Sequence, residues 1–163
     1  MYNNPLLIYD IDKMMEPYFK SNNFIGTYAL NTIKDINDKP PFSFISNTLP
    51  LSKKIGHWIA VYVNNDNIEY YDPFGQPPDK KMKNTLKKLL NKAFNSNLRK
   101  KLQFKINMVQ DQSTNSMNCG WFAIRFLLNR YNGKKFIEVS GFNPNGEKNI
   151  KIMQKYYKAF SSL

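Results

Sequence analysis

One cysteine and one histidine are all that this 163-residue chain holds of the two side chains most used in nucleophilic and acid–base chemistry. A single thiol excludes an internal disulfide and fits a reducing compartment. Acids are also scarce: 12 Asp and Glu stand against 24 Lys and Arg, a formal charge of +12, so an acidic or phosphate-rich partner is favoured. No apolar run approaches the roughly 18–20 residues that would cross a bilayer. The N-terminus, MYNNPLLIYDIDKMMEPYF, lacks a basic leader and meets Asp10 within ten residues, so no secretory signal is read there. The expectation is an intracellular, non-secreted protein with no membrane contact and no metal site.

What is present argues for an ordered fold. Apolar residues make up 42% of the chain and aromatics 15%, too many for a disordered segment. The length suits one domain, 1–163, with a real core and no need of staples. No internal repeat or low-complexity linker interrupts it. The charge is uneven: from Asp79 to Lys105 there are ten Lys or Arg and one acid, which gives that block +9 of the total. Such a block attracts nucleic-acid backbones through counterion release, although no base-reading motif accompanies it; the plainer alternative is a solvated helix face.

Periodicity sets out the elements. Leu6 to Lys20 has helical spacing that Pro17 must kink or end. Phe24 to Leu30 and Phe42 to Ser46 are short extended pieces on either side of the turn-rich IKDINDKPP. HWIAVYV (57–63) and IEYYD (68–72), joined by NNDN, form an antiparallel hairpin. After the break DPFGQPPD, a helix runs through KKMKNTLKKLLNKAF with Met82, Leu86, Leu89, Leu90, Ala93 and Phe94 on one face and most lysines on the other. LQFKINMV (102–109) alternates like a half-buried strand. The polar loop QDQSTNSMN leads into CGWFAIRFLLNRY, apolar enough for a central buried helix, and Glu147 to Phe160 has the pattern of a basic amphipathic helix. The class is α+β: a small mixed or antiparallel sheet packed against the helix that Cys119 opens.

Two devices raise the thiolate fraction of a cysteine, a neighbouring imidazole and a helix N-terminus. Cys119 stands at such a terminus, where free N–H groups and the positive dipole end favour an anion. Gly120 beside it would let a substrate backbone come close. His57 opens its strand, and Asp72 closes the paired strand, so hairpin register brings the two together; Asp66 in the turn and Glu69 in mid-strand fit less well. Asp72 could then hold the imidazole in one tautomer. An oxyanion would need the Cys119 N–H and a side-chain amide, for which the loop offers Gln110, Gln112, Asn115 and Asn118. Singly each feature has a plain structural reading, since a lone cysteine is usually a small buried hydrophobe. It is the joint arrangement that points to a cysteine protease.

The ordered set also resembles the adenovirus endopeptidase (adenain) family, within the group that includes proteases specific for ubiquitin-like proteins. GHWIAVYV is similar to that family's His-Trp strand, YYDPFG to its acid-Pro-Phe-Gly turn, and QSTNSMNCGWF to its Gln-loop-Cys-Gly motif. FIGTY (24–28) and FISNT (44–48) extend the likeness from about Phe24 to Leu128. The resemblance implies catalytic roles for His57, Asp72, Gln112 and Cys119. Gln112 is selected over Gln110 because it lies seven residues before the cysteine; the deconjugating relatives use six, and residue 113 is Ser. It also implies substrate contacts at Trp58, Gly120 and Gly26, and cleavage of viral precursor (capsid or core) proteins at glycine-containing sites during virion maturation. The setting would be a DNA virus or related mobile element, with the enzyme in host cytoplasm or viral factory and packaged in the virion. The protein would act as a monomer that needs no cofactor for chemistry. DNA stimulation through Lys80, Lys83, Lys87 and Lys88 is compatible with the basic helix. A disulfide-linked peptide activator is not, because the only thiol is Cys119. The alternatives are a deconjugase of ubiquitin-like proteins and a non-enzymatic basic DNA-binding protein.

Overall fold

A computed structural model describes residues 5–53, 56–107, 109–112 and 117–140. Its centre is a five-stranded sheet in the order β1-β2-β3-β4-β5: β1 is Phe24–Tyr28, β2 Phe42–Asn47, β3 Trp58–Val63, β4 Asn67–Tyr71 and β5 Gln103–Ile106. The outer pairs, β1–β2 and β4–β5, are parallel, and the inner pairs are antiparallel. The expected hairpin is therefore β3–β4, at the middle of a mixed sheet.

β3 reads as an unbroken apolar run because it is covered on both faces. Ile59, Val61 and Val63 join one core cluster with Phe44, Tyr70 and Ile106; Trp58 and Ala60 join the other with Ile45, Tyr71 and Cys119. Helix α3 (Lys80–Ala93) closes the first face with Met82, Leu86, Leu89, Leu90 and Ala93. Met82 and the three leucines each contribute roughly 1.5–3 kcal/mol when fully buried. Asp79 caps this helix, its Oδ1 accepting the Met82 N–H at 2.8 Å. The second face is covered by α1 (Ile8–Met15) and by α5 (Cys119–Tyr131), which buries Cys119, Gly120, Ala123, Ile124, Phe126 and Leu127.

The expected helix from Leu6 to Lys20 is divided at Pro17 into α1 and a single turn, α2 (Tyr18–Ser21). The strand expected over 102–109 is paired only over Gln103–Ile106. Three short elements carry too little periodicity to be read from sequence: a 3₁₀ turn at Ile33–Asp35, α4 (Ser96–Arg99) and α6 (Phe136–Val139). The basic amphipathic helix expected from Glu147 to Phe160 lies outside the described residues. Among the described residues no helix is long and apolar enough to cross a membrane.

The position of α5 on the sheet is set by contacts that no local pattern announces. Phe126 stacks on Tyr71 at 4.5 Å between ring centroids, and the Tyr131 hydroxyl hydrogen-bonds that of Ser43. Glu69, fully buried, receives Arg130 through both carboxylate oxygens, Nε at 2.7 Å and Nη2 at 2.9 Å. The guanidinium also lies over the Tyr62 ring, 5.0 Å from its centroid. Losing one partner of a buried pair strands the other charge. Arg130→Met should therefore cost about 3–5 kcal/mol in denaturant unfolding, and Glu69→Leu combined with Arg130→Met should recover most of that loss. Equal loss in the single and double variants would show that packing of the arginine, not its charge, holds α5.

Candidate active site

The β3–β4 ladder pairs Ala60 with Tyr71, Val61 with Tyr70, Tyr62 with Glu69 and Val63 with Ile68. Continued outward, this register sets Ile59 across from Asp72 and His57 across from Phe74, so His57 and Asp72 meet diagonally. His57 Nε2–H donates to Asp72 Oδ1 at 2.6 Å, and the imidazole stacks on the Phe74 ring at 4.5 Å and 10°. The same Oδ1 accepts the Phe74 N–H at 2.7 Å, and the Asp72 carbonyl accepts the Gly75 N–H at 2.8 Å. The DPFG turn thus shapes both the acid and the surface that carries the imidazole. The His57 carbonyl accepts the Thr48 N–H at 2.8 Å, which ties this end of β3 to the end of β2.

Cys119 meets the imidazole from the first turn of α5. Burial pushes its thiol up, but the hydrogen bond to His57 and the backbone N–H groups of Trp58 and Gly120 prevail and lower it below the ordinary thiol value. For His57 burial acts downward; the hydrogen bonds and charges of Asp72 and Cys119 outweigh it and raise the imidazole to about 9. The opposed shifts favour an imidazolium–thiolate pair across neutral pH, which titrates as a unit. Arranged so, it can attack a carbonyl and protonate a leaving group.

The loop before Cys119 is anchored on the same turn. The Pro73 carbonyl accepts the N–H of Asp111 and of Gln112, each at 2.9 Å, and the Tyr71 hydroxyl donates to Asp111 Oδ2 at 2.7 Å. Gly75 adopts φ +68°, and a Cβ there would lie 2.8 Å from the Val109 carbonyl carbon, so the turn and the loop touch backbone to backbone. Gln112 is buried, whereas Gln110 is exposed and spends its amide on the Gln112 carbonyl at 2.7 Å. Asn118 occupies the position before α5; Asn115 lies outside the described residues.

Other expected site residues sit differently. Trp58 is 4% exposed, and its indole N–H donates to the Leu6 carbonyl at 2.8 Å. Its edge still borders an open groove of about 260 Å³ between Leu7, Ile8, Asn47, Leu51 and Lys53. At Gly120 a Cβ would lie 3.0 Å from Leu6 and 3.2 Å from Trp58, so the glycine admits the N-terminal segment. Gly26 is buried within β1, with φ +126° at the irregular step of the β1–β2 register and two strands from β3; its need for glycine is a backbone need. Lys80, Lys87 and Lys88 are exposed and Lys83 is half-buried, all on α3, across the sheet from α5. Glu69 points to Arg130 and Asp66 stands in the exposed turn, so neither meets His57. Asn107 drew no notice in the sequence, where a polar residue at a strand end is unremarked; its side chain hydrogen-bonds the Asp72 peptide. Among the described residues no group of His, Cys, Asp or Glu could hold a metal ion.

The comparisons with known proteins agree with this geometry. Residues 13–159 match the family model described as Ulp1 protease family, C-terminal catalytic domain. The fold is similar to a crystal structure of the ASFV protease, with TM-score 0.66, 12% identity, and coverage of 93% of this chain and 67% of that one. A selenomethionine form of the same protease gives TM-score 0.57 at 13% identity, covering 96% and 67%. A Chaetomium thermophilum Ulp1-like SUMO protease domain aligns at TM-score 0.41 and 14% identity, covering 79% and 47%, too distantly to carry an argument. No curated protein matches the sequence.

Because Cys119 is the sole thiol, its ionisation can be followed by the pH dependence of iodoacetamide alkylation. The apparent pKa should lie below that of a free thiol, and His57→Ala should move it upward, leaving burial unopposed by the imidazolium. Superimposable profiles for the two proteins would exclude the pair.

Proposed function

The chain belongs to the Ulp1 protease family and is a cysteine endopeptidase, and from that premise we propose that it cleaves precursor proteins at glycine-containing sites during the maturation of a DNA virus. The observation that carries the chemistry is the position of His57, hydrogen-bonded to Asp72 at 2.6 Å through Nε2 and electrostatically coupled to the Cys119 thiol at a helix start. With Nε2 committed to Asp72, the proton exchanged with Cys119 travels on Nδ1. The thiolate attacks the glycyl carbonyl, and the oxyanion is met by the Cys119 N–H and the Gln112 amide. The imidazolium then protonates the departing amine, leaving a thioester. His57, now neutral, takes a proton from water, and the hydroxide released to the carbonyl frees the acid and the thiolate. Asp72 keeps the ring oriented throughout. The burial of Gln112, against the exposed and engaged Gln110, supports the choice between the two amides.

The glycine preference and the viral setting rest on the motif resemblance to the adenovirus endopeptidases, supported by the fold shared with the ASFV protease. The groove beside Trp58 is open enough to take part of an extended substrate. On this reading the enzyme works in the infected cell, in the viral factory and virion. The family match itself favours a second reading, release of ubiquitin-like proteins by the same chemistry. The non-enzymatic alternative is set aside by the family. DNA, if it stimulates the enzyme, would bind the α3 lysines across the sheet from α5, and so would tether enzyme to substrate without completing the site.

A peptide probe ending in glycine vinyl sulfone should label Cys119 alone. On a Gly-Gly peptide amide, Cys119→Ala and His57→Ala should abolish turnover with the melting temperature retained. Asp72→Asn should lower kcat roughly 100-fold or more, and Gln112→Ala about 100-fold. Turnover by Cys119→Ala would end the mechanism; a larger loss from Gln110→Ala would move the oxyanion donor. Faster release of an intact ubiquitin-like conjugate than of the peptide would favour the second reading. Replacing Lys80, Lys83, Lys87 and Lys88 by Gln should flatten the salt dependence of DNA binding, and an unchanged slope would put DNA elsewhere.

A further inference from the structure

Parallel strands β4 and β5 pair from Asn67 with Gln103 to Tyr70 with Ile106, and there the ladder ends. Two residues on, at Asp72, the chain has left β4 and is about to turn at Pro73, and the peptide groups of Asp72 lose a strand partner while remaining buried. Asn107 replaces that partner with its side chain. Its Oδ1 accepts the Asp72 N–H at 2.7 Å, its Nδ2–H donates to the Asp72 carbonyl at 2.5 Å, and its own N–H reaches the Tyr70 carbonyl at 3.3 Å. The side-chain amide, planar with one acceptor and a donor pair, copies a strand peptide at the point where no strand continues. Asn107 is 0% exposed, so water has no access to take over either bond.

We propose that Asn107 is a positioning residue for the Asp72 carboxylate: the double hydrogen bond to the Asp72 peptide fixes the backbone from which Oδ1 reaches His57. The proposal rests on the reading of Asp72 as the group that orients His57. Fixing both peptide groups leaves the Asp72 side chain little freedom beyond its own torsions. The contact it must hold is 2.6 Å, and the same oxygen is shared with the Phe74 N–H. Few side chains supply a donor and an acceptor in this reach: Ser is too short to meet both groups, Asp offers acceptors only, and Gln carries the same amide one methylene further from the backbone. The titratable groups that act on the His57 ring are Asp72 and Cys119. The hydrogen bonds of Asn107 go to the backbone of Asp72 and Tyr70 and not to the ring or the thiol, so its effect on His57 runs through Asp72.

The test is a double-mutant cycle on the full chain with the Gly-Gly peptide amide, comparing wild type, Asn107→Ala, Asp72→Asn and the double variant. Each is measured for kcat, KM, the pH profile of kcat/KM and melting temperature. Asn107→Ala should lower kcat between about 10- and 100-fold, the scale of an ångström of misplacement, with KM little changed and the alkaline limb moved to lower pH. In the Asp72→Asn background the same substitution should cost almost nothing further. Where Asn107→Ala fails to fold, Asn107→Ser takes its place in the same cycle. Multiplying losses in the double variant, or an unmoved alkaline limb in Asn107→Ala, would overturn the proposal and leave Asn107 a purely structural residue. If Asp72→Asn itself kept the wild-type rate and profile, the reading of Asp72 would fall, and this inference with it.

Discussion

The hydrogen bond from His57 to Asp72 exists because the β3–β4 ladder stops short of both residues. Its last pair is Ala60 with Tyr71, and beyond it one chain arrives from a loop while the other turns at Pro73. Two polar side chains can face each other there beside the first turn of α5, the carboxylate buried and the imidazole about a fifth exposed. The rest of the arrangement serves that edge. Phe74 gives the imidazole a flat surface, the Pro73 carbonyl holds the Gln112 loop, and Gly75 lets that loop come within backbone contact. One four-residue turn therefore aligns the acid, the ring and the amide-bearing loop.

The thiol has to be brought to the same edge by a separate element. Helix α5 crosses the opposite core, and its far end is pinned by Arg130 on Glu69 and by Tyr131 on Ser43. Its near end is held by Leu6 against Gly120 and by the Leu6 carbonyl on Trp58. Pinned at both ends, the helix delivers Cys119 with its free N–H groups aimed at the position of a developing anion. Electrostatics then do the rest: a buried thiol alone would stay protonated and be a poor nucleophile, and a buried imidazole alone would be a weak base, and each corrects the other.

What could be read from the sequence was what short-range pattern controls. The hairpin, the amphipathic helix α3 and the buried cysteine helix follow from alternation, helical spacing and turn residues. The meeting of His57 with Asp72 followed from the hairpin alone, though as a diagonal pair and not a directly opposed one. What was hidden depends on distant partners. Nothing near Asn107 marks it as the clamp on Asp72, and nothing near Glu69 marks Arg130 as its partner, 61 residues away. At Gly120 a glycine announces that something comes close, and the close approach of the chain's own N-terminal segment through Leu6 is one that no local pattern could name. The parallel pairing of β1 with β2 and of β4 with β5 is likewise a matter of topology.

Since the chain has a single histidine, the central claim can be read from one resonance. An NMR titration of the isotope-labelled His57 ring in the wild-type protein reports its protonation without interference from any other imidazole. The account expects a charged ring through neutral pH with a midpoint near 9. A midpoint at the ordinary value of 6.5 would mean that neither Asp72 nor a thiolate holds the proton on His57, and the imidazolium–thiolate pair would have to be abandoned.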